Sequence, residues 1–284
     1  MGRLLATWAL LGSRYVRRSS GRAVAQREIE IASGLSGHLA GEEREFEIAP
    51  GLKLKFCWCP AGTFMMGSPE SEPDRYAEET LHQVTLSKGF WIAKNQTTQG
   101  QWEKVMGRNP SYFKEVGSDA PVERVRWNEA TAFCARLNKL APPGIGWRYS
   151  LPTEAQWEYA CRAGSTTRFG FGDDDADLAE YSWLDANSDN KPHPVGLKKP
   201  NAWGIHDMHG NVWEWCEDTY SDYPNAPVTD PMGAASGTYR VYRGGSWFNK
   251  PELARSANRN WDIGAIRYFF VGFRLARVSN ITGR

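Results

Sequence analysis

Hydrophobic and polar residues alternate along two short segments early in the chain. Residues 52–58 read LKLKFCW, which is the period-two pattern of a β-strand with one buried face. Pro60, Ala61 and Gly62 then predict a turn, and the chain from Thr63 to Met66 resumes the extended pattern. The pattern therefore predicts two strands separated by a tight turn.

Three later segments place apolar residues at the i, i+3, i+4 spacing of a helix face. Their predicted N-caps are Thr98, Asn128 and Thr153. Gln101 and Gln156 each follow a cap by three residues and can return a hydrogen bond to it, which completes a capping box. Gly107 and Gly164 end the first and third segments. We expect all three helices to pack against the core.

The segment from residue 248 to residue 270 has neither period. Its large apolar residues are Phe248, Trp261, Ile263, Ile266, Tyr268, Phe269 and Phe270, and the polar residues among them include Asn249, Asn258, Asn260 and Asp262. If extended, the successive aromatics at 268–270 cannot all face one core, so at least one should be exposed. Exposed aromatic side chains near Arg255 and Arg259 are typical of a binding surface.

Composition narrows the class of protein. The chain has 284 residues, and 34 Lys and Arg against 33 Asp and Glu give a formal net charge of +1. No positive field exists for a nucleic acid backbone, so we expect no nucleic-acid partner. Mean hydropathy is −0.56 and the longest apolar run is far shorter than the ~20 residues of a membrane span, which predicts a soluble protein. With 13% aromatic residues and 28 glycines, a loop-rich fold is favoured.

The chain divides into four predicted regions. Residues 1–27 contain six arginines and no acid, which suits either a targeting segment or a disordered start. Residues 28–45 resemble a linker. Residues 46–278, with dense aromatic residues and regularly spaced turn residues, are predicted to form one domain, and residues 279–284 form a tail. Both a cytoplasmic location and export through the basic segment fit this pattern.

The five cysteines do not indicate a metal site or a disulfide framework. They are Cys57, Cys59, Cys134, Cys161 and Cys216, an odd number without a CxxC pair. We expect all five to be small, buried apolar residues. No GxSxG, HExxH or phosphate-binding glycine loop is present either.

Five ordered motifs carry a family resemblance. GTFMMGS, PVERVRWNEATAFCARLN, YSLPTEAQWEYACRAG, GIHDMHGNVWEW and RVYRGGSW…VGFRLA are similar to the motifs of the formylglycine-generating enzyme, or sulfatase-modifying factor, family. The resemblance covers about residues 50–277. It implies an α+β, irregular, loop-rich C-type-lectin-like fold with short antiparallel strands and about three helices.

The resemblance also implies a structural calcium site. It assigns the ligands to Asp207, Gly210, Val212 and Glu214, with the glycine and the valine acting through their carbonyl oxygens. Oxygen atoms are the ligands that this hard cation requires. The alternative is that Glu214 pairs with an arginine beneath the neighbouring tryptophans.

The resemblance fails at the copper site. The family places two cysteines shortly after GGS, where thiolates bind copper(I), but here those places are held by Asn249 and by Leu253 or Ala254. Copper binding and the oxidase activity are therefore not expected. A related iron branch, the hercynine-oxygenase-like proteins, uses histidines from an additional helical domain, which the 45-residue lead-in is too short to form. His206 and His209 could meet a metal, although ring packing is the more ordinary role.

The segment 248–270 is also similar to the variable region of proteins diversified by retroelements, in which asparagine codons are altered at adenines. Phe248, Asp262, Ile266 and residues 268–270 stand at matching places, and three asparagines remain unchanged. We therefore predict a non-catalytic module that binds a protein or a small molecule through residues 248–270. The rival interpretations are a metal-dependent oxidoreductase and a calcium-stabilised structural accessory protein.

Overall fold

The computed structural model describes residues 36–280. The predicted basic segment 1–27, residues 28–35 of the predicted linker and residues 281–284 of the predicted tail lie outside the described residues. The first strand begins at Glu43, so the last residues of the predicted linker already belong to the folded domain. Between residues 36 and 280, no helix is both long enough and apolar enough to cross a bilayer.

The described residues form twelve short strands. They are β1 Glu43–Ala49, β2 Leu52–Cys59, β3 Gly62–Met66, β4 His82–Leu86, β5 Phe90–Ala93, β6 Trp147–Ser150, β7 Trp213–Thr219, β8 Val228–Thr229, β9 Tyr239–Arg243, β10 Arg259–Ile263, β11 Val271–Gly272 and β12 Ala276–Ser279. Strands β2 and β3 confirm the two strands predicted on either side of the Pro60 turn.

The strands form three sheets. The orders are β1-β2-β5-β12-β6, β10-β9-β7-β11 and β3-β4-β8. Most neighbours are antiparallel, and the β7–β11 and β4–β8 pairs are parallel. Strand β10 lies at the edge of its sheet, and the segment 248–270 contains this strand and the loops on either side of it.

Between residues 36 and 280, four α-helices connect the sheets: α1 Gln99–Met106, α2 Trp127–Leu140, α3 Glu154–Arg162 and the short α4 Leu178–Tyr181. Both predicted capping boxes are present at α1 and α3, and Gly107 ends α1 in the left-handed conformation.

The predicted cap at Asn128 is wrong, and so is the predicted end of the third helix. Arg126 is the N-cap of α2, because the Glu129 carboxylate accepts the Arg126 N–H at 3.0 Å and so starts the helix two residues earlier. Helix α3 ends at Ala163, which takes the left-handed conformation one residue before Gly164. Hydrogen bonds from nearby side chains thus explain the starts of α1 and α3, which were predicted correctly, and the start of α2, which was not.

Two large groups of buried aromatic and aliphatic residues, and a small third group around Phe169, form the core of the described residues. One contains Trp91, Phe133, Trp213, Trp215 and Phe273 between the two larger sheets and helices α1 and α2. The other surrounds Trp157 of α3. All five cysteines are buried and none is in a disulfide, as the sequence predicted.

A buried network of ion pairs connects α3 to the strands beneath it. Arg243, which is fully buried, donates to Glu154 at 2.7 Å and to Glu158 at 2.6 Å. Arg259 donates to the other oxygen of Glu154 at 2.7 Å, and Arg255 pairs with Glu79 at 2.6 Å. Because removing one member leaves a buried charge without compensation, such networks hold their elements in one arrangement.

Candidate functional site

Aromatic rings from three separate loops form one continuous patch, which we call the aromatic surface. Its members are Tyr112, Phe113, Trp247, Phe248, Tyr268, Phe269 and Phe270. The rings of Trp247 and Phe248 lie 5.1 Å apart, and Phe248 lies 4.8 Å from Phe270. Phe113 contacts Trp247 edge-on at 5.4 Å, which joins the loop at residues 112–113 to the loop at residues 247–248.

Three rings of this surface face solvent. Tyr112 is 63% exposed, Phe269 is 43% exposed and Phe248 is 38% exposed. Tyr268 and Phe270 stack on each other at 4.6 Å and pack against the core. The prediction that at least one residue of the aromatic run 268–270 is exposed is therefore confirmed at Phe269. Large apolar side chains rarely cluster on a surface unless they contact something.

No pattern in the sequence indicated that Tyr112 and Phe113 contribute to this surface. These residues precede a short turn more than 100 positions before Phe248, and the Phe113 N–H donates to the buried carboxylate of Glu123 at 2.9 Å. This contact fixes the loop beside Trp247. Only the folded chain brings the two loops together.

Strand β10 places its predicted residues at the edge of the four-stranded sheet. Trp261 is half-buried and stacks on Tyr220 at 3.9 Å, away from the aromatic surface. Asp262 accepts a hydrogen bond from the Tyr268 hydroxyl at 2.5 Å, so it supports a ring of that surface. Asn260 is half-buried, and Ile266 is half-buried in the turn that follows the strand.

Two of the predicted residues do not reach the surface. Asn249 is buried, and its Oδ1 accepts hydrogen bonds from Trp213 Nε1 at 2.8 Å and from Ser246 Oγ at 2.6 Å. Asn258 is 1% exposed and donates to Glu79 Oε1 at 3.4 Å. Both side chains hold the segment in place and leave the contact surface to their aromatic neighbours.

Asn249 and Ala254, two of the positions where the resemblance places the copper cysteines, are buried, and the Ala254 carbonyl contacts His209. His209 Nδ1 donates to the Ala254 carbonyl at 2.8 Å, and its Nε2 accepts the Gly170 N–H at 3.1 Å. Cys161 Sγ lies 3.7 Å from that Nε2. Burial raises the pKa of the Cys161 thiol to about 12 and lowers the pKa of His209 to about 4. The pair is therefore a neutral thiol beside a neutral imidazole, which is not an activated nucleophile.

The other candidate metal ligand, His206, also uses a ring nitrogen within the fold, since its Nδ1 contacts the Lys198 carbonyl at 2.8 Å. Within residues 36–280, no group of three or more His, Cys, Asp and Glu side chains is placed to hold a metal ion.

The four residues predicted to bind calcium do come together. The carbonyl oxygens of Asp207, Gly210 and Val212 and the Oε1 of Glu214 all lie within hydrogen-bond distance of one atom, Nε2 of Gln96. An all-oxygen group of this kind suits a hard cation. The residues of the predicted site therefore fit calcium by their chemistry, and Gln96 lies among them although the sequence did not indicate it.

Glu214 also has the arginine partner that the alternative interpretation required. Arg274 donates to both carboxylate oxygens of Glu214 at 2.6 Å, and Trp157 Nε1 donates to Oε2 at 2.8 Å. Asp207 Oδ2 accepts the Gly196 N–H at 2.8 Å, whereas the Asp207 carbonyl is the oxygen that faces Gln96 with the other three. Burial raises the pKa of Asp207 to about 6.

Comparisons with known proteins agree with the motifs. The sulfatase-modifying factor enzyme 1-like domain matches residues 47–279. The chain is 35% identical to the chaperone protein LppX of Paenibacillus barcinonensis, over 60% of this chain and 73% of that protein. It is 32% identical to the formylglycine-generating enzyme of Streptomyces coelicolor, over 57% of this chain and 54% of that enzyme. The match thus spans about half of the enzyme's length.

A solved structure shows the same fold. The variable protein 1 of Treponema denticola superimposes with a TM-score of 0.75 at 29% identity, over 82% of this chain and 98% of that chain. The fold is α+β, loop-rich and C-type-lectin-like, as the motifs implied. The chain therefore belongs to the family of sulfatase-modifying factor enzyme 1-like domains.

Proposed function

We propose that this protein is a non-catalytic binding module whose aromatic surface contacts a protein partner. The observation that carries the proposal is the exposure of Tyr112, Phe248 and Phe269 within one continuous set of rings. Aromatic side chains dominate the energetic centres of protein interfaces, because they bury a large area with few rotatable bonds.

The relatives support this proposal in two ways. One relative is named as an enzyme and another as a chaperone protein. Relatives of this chain are therefore not all named as enzymes. The similarity to a protein named a variable protein supports a contact role for the segment between RGGSW and VGFRLA, where retroelement-diversified proteins vary.

The binding experiment compares two variants of the full chain. Replacing Tyr112, Phe248 and Phe269 together by serine should abolish the capture of a specific partner from the source cells. The control is the same replacement at Tyr239, which is 49% exposed but makes no ring contact with the aromatic surface. This control variant should still capture the partner. Quantitative mass spectrometry of the captured proteins provides the measurement. If the wild type and the triple variant capture the same proteins equally, the aromatic surface is not the contact site.

The non-catalytic part of the proposal has its own test. Soft thiolates are what copper(I) requires, and Asn249 supplies an amide whose oxygen already accepts two hydrogen bonds. We expect an anaerobic copper(I) titration to give the same copper affinity for the wild type and for Asn249→Ala. We also expect no oxygen uptake with a cysteine-containing peptide, with the Streptomyces coelicolor enzyme as positive control. Copper binding that Asn249→Ala weakens, or oxygen uptake above background, would contradict a non-catalytic role.

We also propose that Asp207, Gly210, Val212 and Glu214 hold a structural calcium ion. The support is the convergence of three backbone carbonyls and one carboxylate oxygen on a single point. When bound, the ion would connect the turn at residues 207–212 to the start of β7. Binding to the folded state alone would raise its stability by mass action.

A further inference from the structure

Basic side chains lie next to the aromatic surface at the end that contains Tyr112 and Phe269. Three chain segments form this end: residues 108–116, 123–129 and 265–270. The exposed charged residues of these segments are four basic ones and one acidic one: Arg108, Lys114, Arg124, Arg126 and Glu115. The chain as a whole has 34 Lys and Arg against 33 Asp and Glu, so this local excess of positive charge is not a general property of the protein.

Backbone hydrogen bonds fix two of these basic residues beside the rings. The Lys114 N–H donates to the Tyr112 carbonyl at 3.0 Å, and the Arg124 N–H donates to the Tyr268 carbonyl at 2.9 Å. The rings of Tyr112 and Phe269 lie 6.2 Å apart. Basic residues from separate parts of the chain therefore border one group of rings.

The other acidic residues of this region do not offset the exposed basic ones. Glu129 is only partly exposed and is paired with Arg267. Glu123 is fully buried. Asp262 is half-buried and accepts the hydroxyl hydrogen of Tyr268. The charge that this end of the surface presents to solvent is therefore mainly positive.

Two of the exposed basic side chains are not used by the fold. Within residues 36–280, the side chains of Lys114 and Arg124 form no ion pair and no hydrogen bond. Their charges are therefore available to a carboxylate on a partner. Exposed charges at the rim of an interface determine which partners associate and how fast, because like charges repel and opposite charges attract before the apolar groups meet.

We propose that the partner of the aromatic surface is a protein segment that carries acidic residues beside apolar ones. This inference rests on the proposed contact surface and adds the charge of the partner to it. A nucleic acid is also an anion, but its backbone requires basic residues along the whole contact. At the Phe248 end, the exposed Lys250 is offset by the exposed Asp185, whose N–H donates to the Asn249 carbonyl, so the positive charge does not extend along all the rings.

The test measures the binding of three fluorescent peptides to the purified full chain by fluorescence anisotropy. The peptides share their phenylalanine and leucine positions, and the residues between these are all glutamate, all glutamine or all lysine. We expect the glutamate peptide to bind at least about tenfold more tightly than the lysine peptide at low ionic strength. This preference should shrink in about 1 M salt, where the Debye length is about 3 Å.

Charge reversal locates the contact. Lys114→Glu combined with Arg124→Glu should weaken the binding of the glutamate peptide at least about tenfold, because it replaces attraction by repulsion. The matched control is Arg136→Glu combined with Lys139→Glu, which changes the net charge by the same amount at exposed positions of α2. Arg136 lies nine residues after Trp127, or about 13 Å along the helix axis, so this variant should bind like the wild type.

Three results would refute an acidic partner: no binding of the glutamate peptide by the wild type, equal or tighter binding of the lysine peptide, or equal binding of the glutamate peptide by the two double variants. Tighter binding of oligothymidylate than of the glutamate peptide would refute it in favour of a nucleic acid.

The triple serine variant at Tyr112, Phe248 and Phe269 separates this inference from the proposed function. If that variant binds none of the peptides while the wild type binds all three equally, the contact surface is supported and the charge preference is refuted. If binding of the glutamate peptide depends on Lys114 and Arg124 but not on the three rings, both are refuted.

Discussion

Replacing Arg243 by methionine should lower the free energy of unfolding by about 3–5 kcal/mol, because it leaves carboxylates buried without their partner. Arg243 is fully buried and contacts Glu154 and Glu158, which are also buried. Methionine keeps most of the side-chain volume. The decrease in the free energy of unfolding is therefore due to the lost charge and hydrogen bonds. Urea denaturation followed by circular dichroism measures the difference.

Arg267→Met is the matched control. Arg267 pairs with Glu129 where both side chains are more than 20% exposed, so solvent screens the pair and its loss should cost less than ~1 kcal/mol. An equal decrease in the free energy of unfolding of the two variants would show that the buried network does not stabilise the fold.

The cost of Arg243→Met should also depend on pH. Burial by itself would raise the pKa of Glu154, but Arg259 and Arg243 outweigh that effect and hold the pKa below the ordinary value of 4.5. The stability that this carboxylate contributes is therefore present above pH 4.5 and is lost as the pH falls through the lowered pKa. The difference between Arg243→Met and the wild type should shrink in acid, where a neutral Glu154 no longer needs a cation.

The second large effect separates the aromatic surface from the core below it. Trp213 is 2% exposed and Phe273 is fully buried, so replacing either by alanine should cost about 3–5 kcal/mol. Phe248→Ala and Phe269→Ala should each cost less than ~1.5 kcal/mol, because both rings already face solvent. Chemical denaturation of the four single variants tests this without knowledge of the partner. If the surface variants lose as much stability as the core variants, these aromatics serve the fold and the proposed contact surface is wrong.

Features that depend on neighbouring residues could be predicted from the sequence. The capping boxes at Thr98 and Thr153 join residues three positions apart, and the exposure of Phe269 follows from three successive aromatics. The cap of α2 was missed because Asn128 is a common capping residue, whereas Arg126 is not. Here Glu129 supplied the contact that set the helix start.

Features made by distant parts of the chain could not be predicted. Gln96 meets the turn at residues 207–214 across more than 100 positions, and no spacing rule connects them. Asn249 and Asn258 share a segment with exposed aromatics, but partners outside that segment, Trp213 and Glu79, draw them inward. Residue type and local sequence therefore indicated that the segment 248–270 has exposed aromatic residues, but not which of its other side chains are exposed.

The buried arginines within the segment 248–270 have a consequence for how this protein can evolve. Arg255 and Arg259 join the segment to the buried carboxylates of Glu79 and Glu154, while Phe248 and Phe269 are exposed to solvent. The residues that anchor the segment are thus distinct from the exposed residues of the proposed contact surface. If that surface binds a partner as we propose, mutations can change its exposed side chains without releasing the anchors, and new binding specificities can arise at little risk to folding.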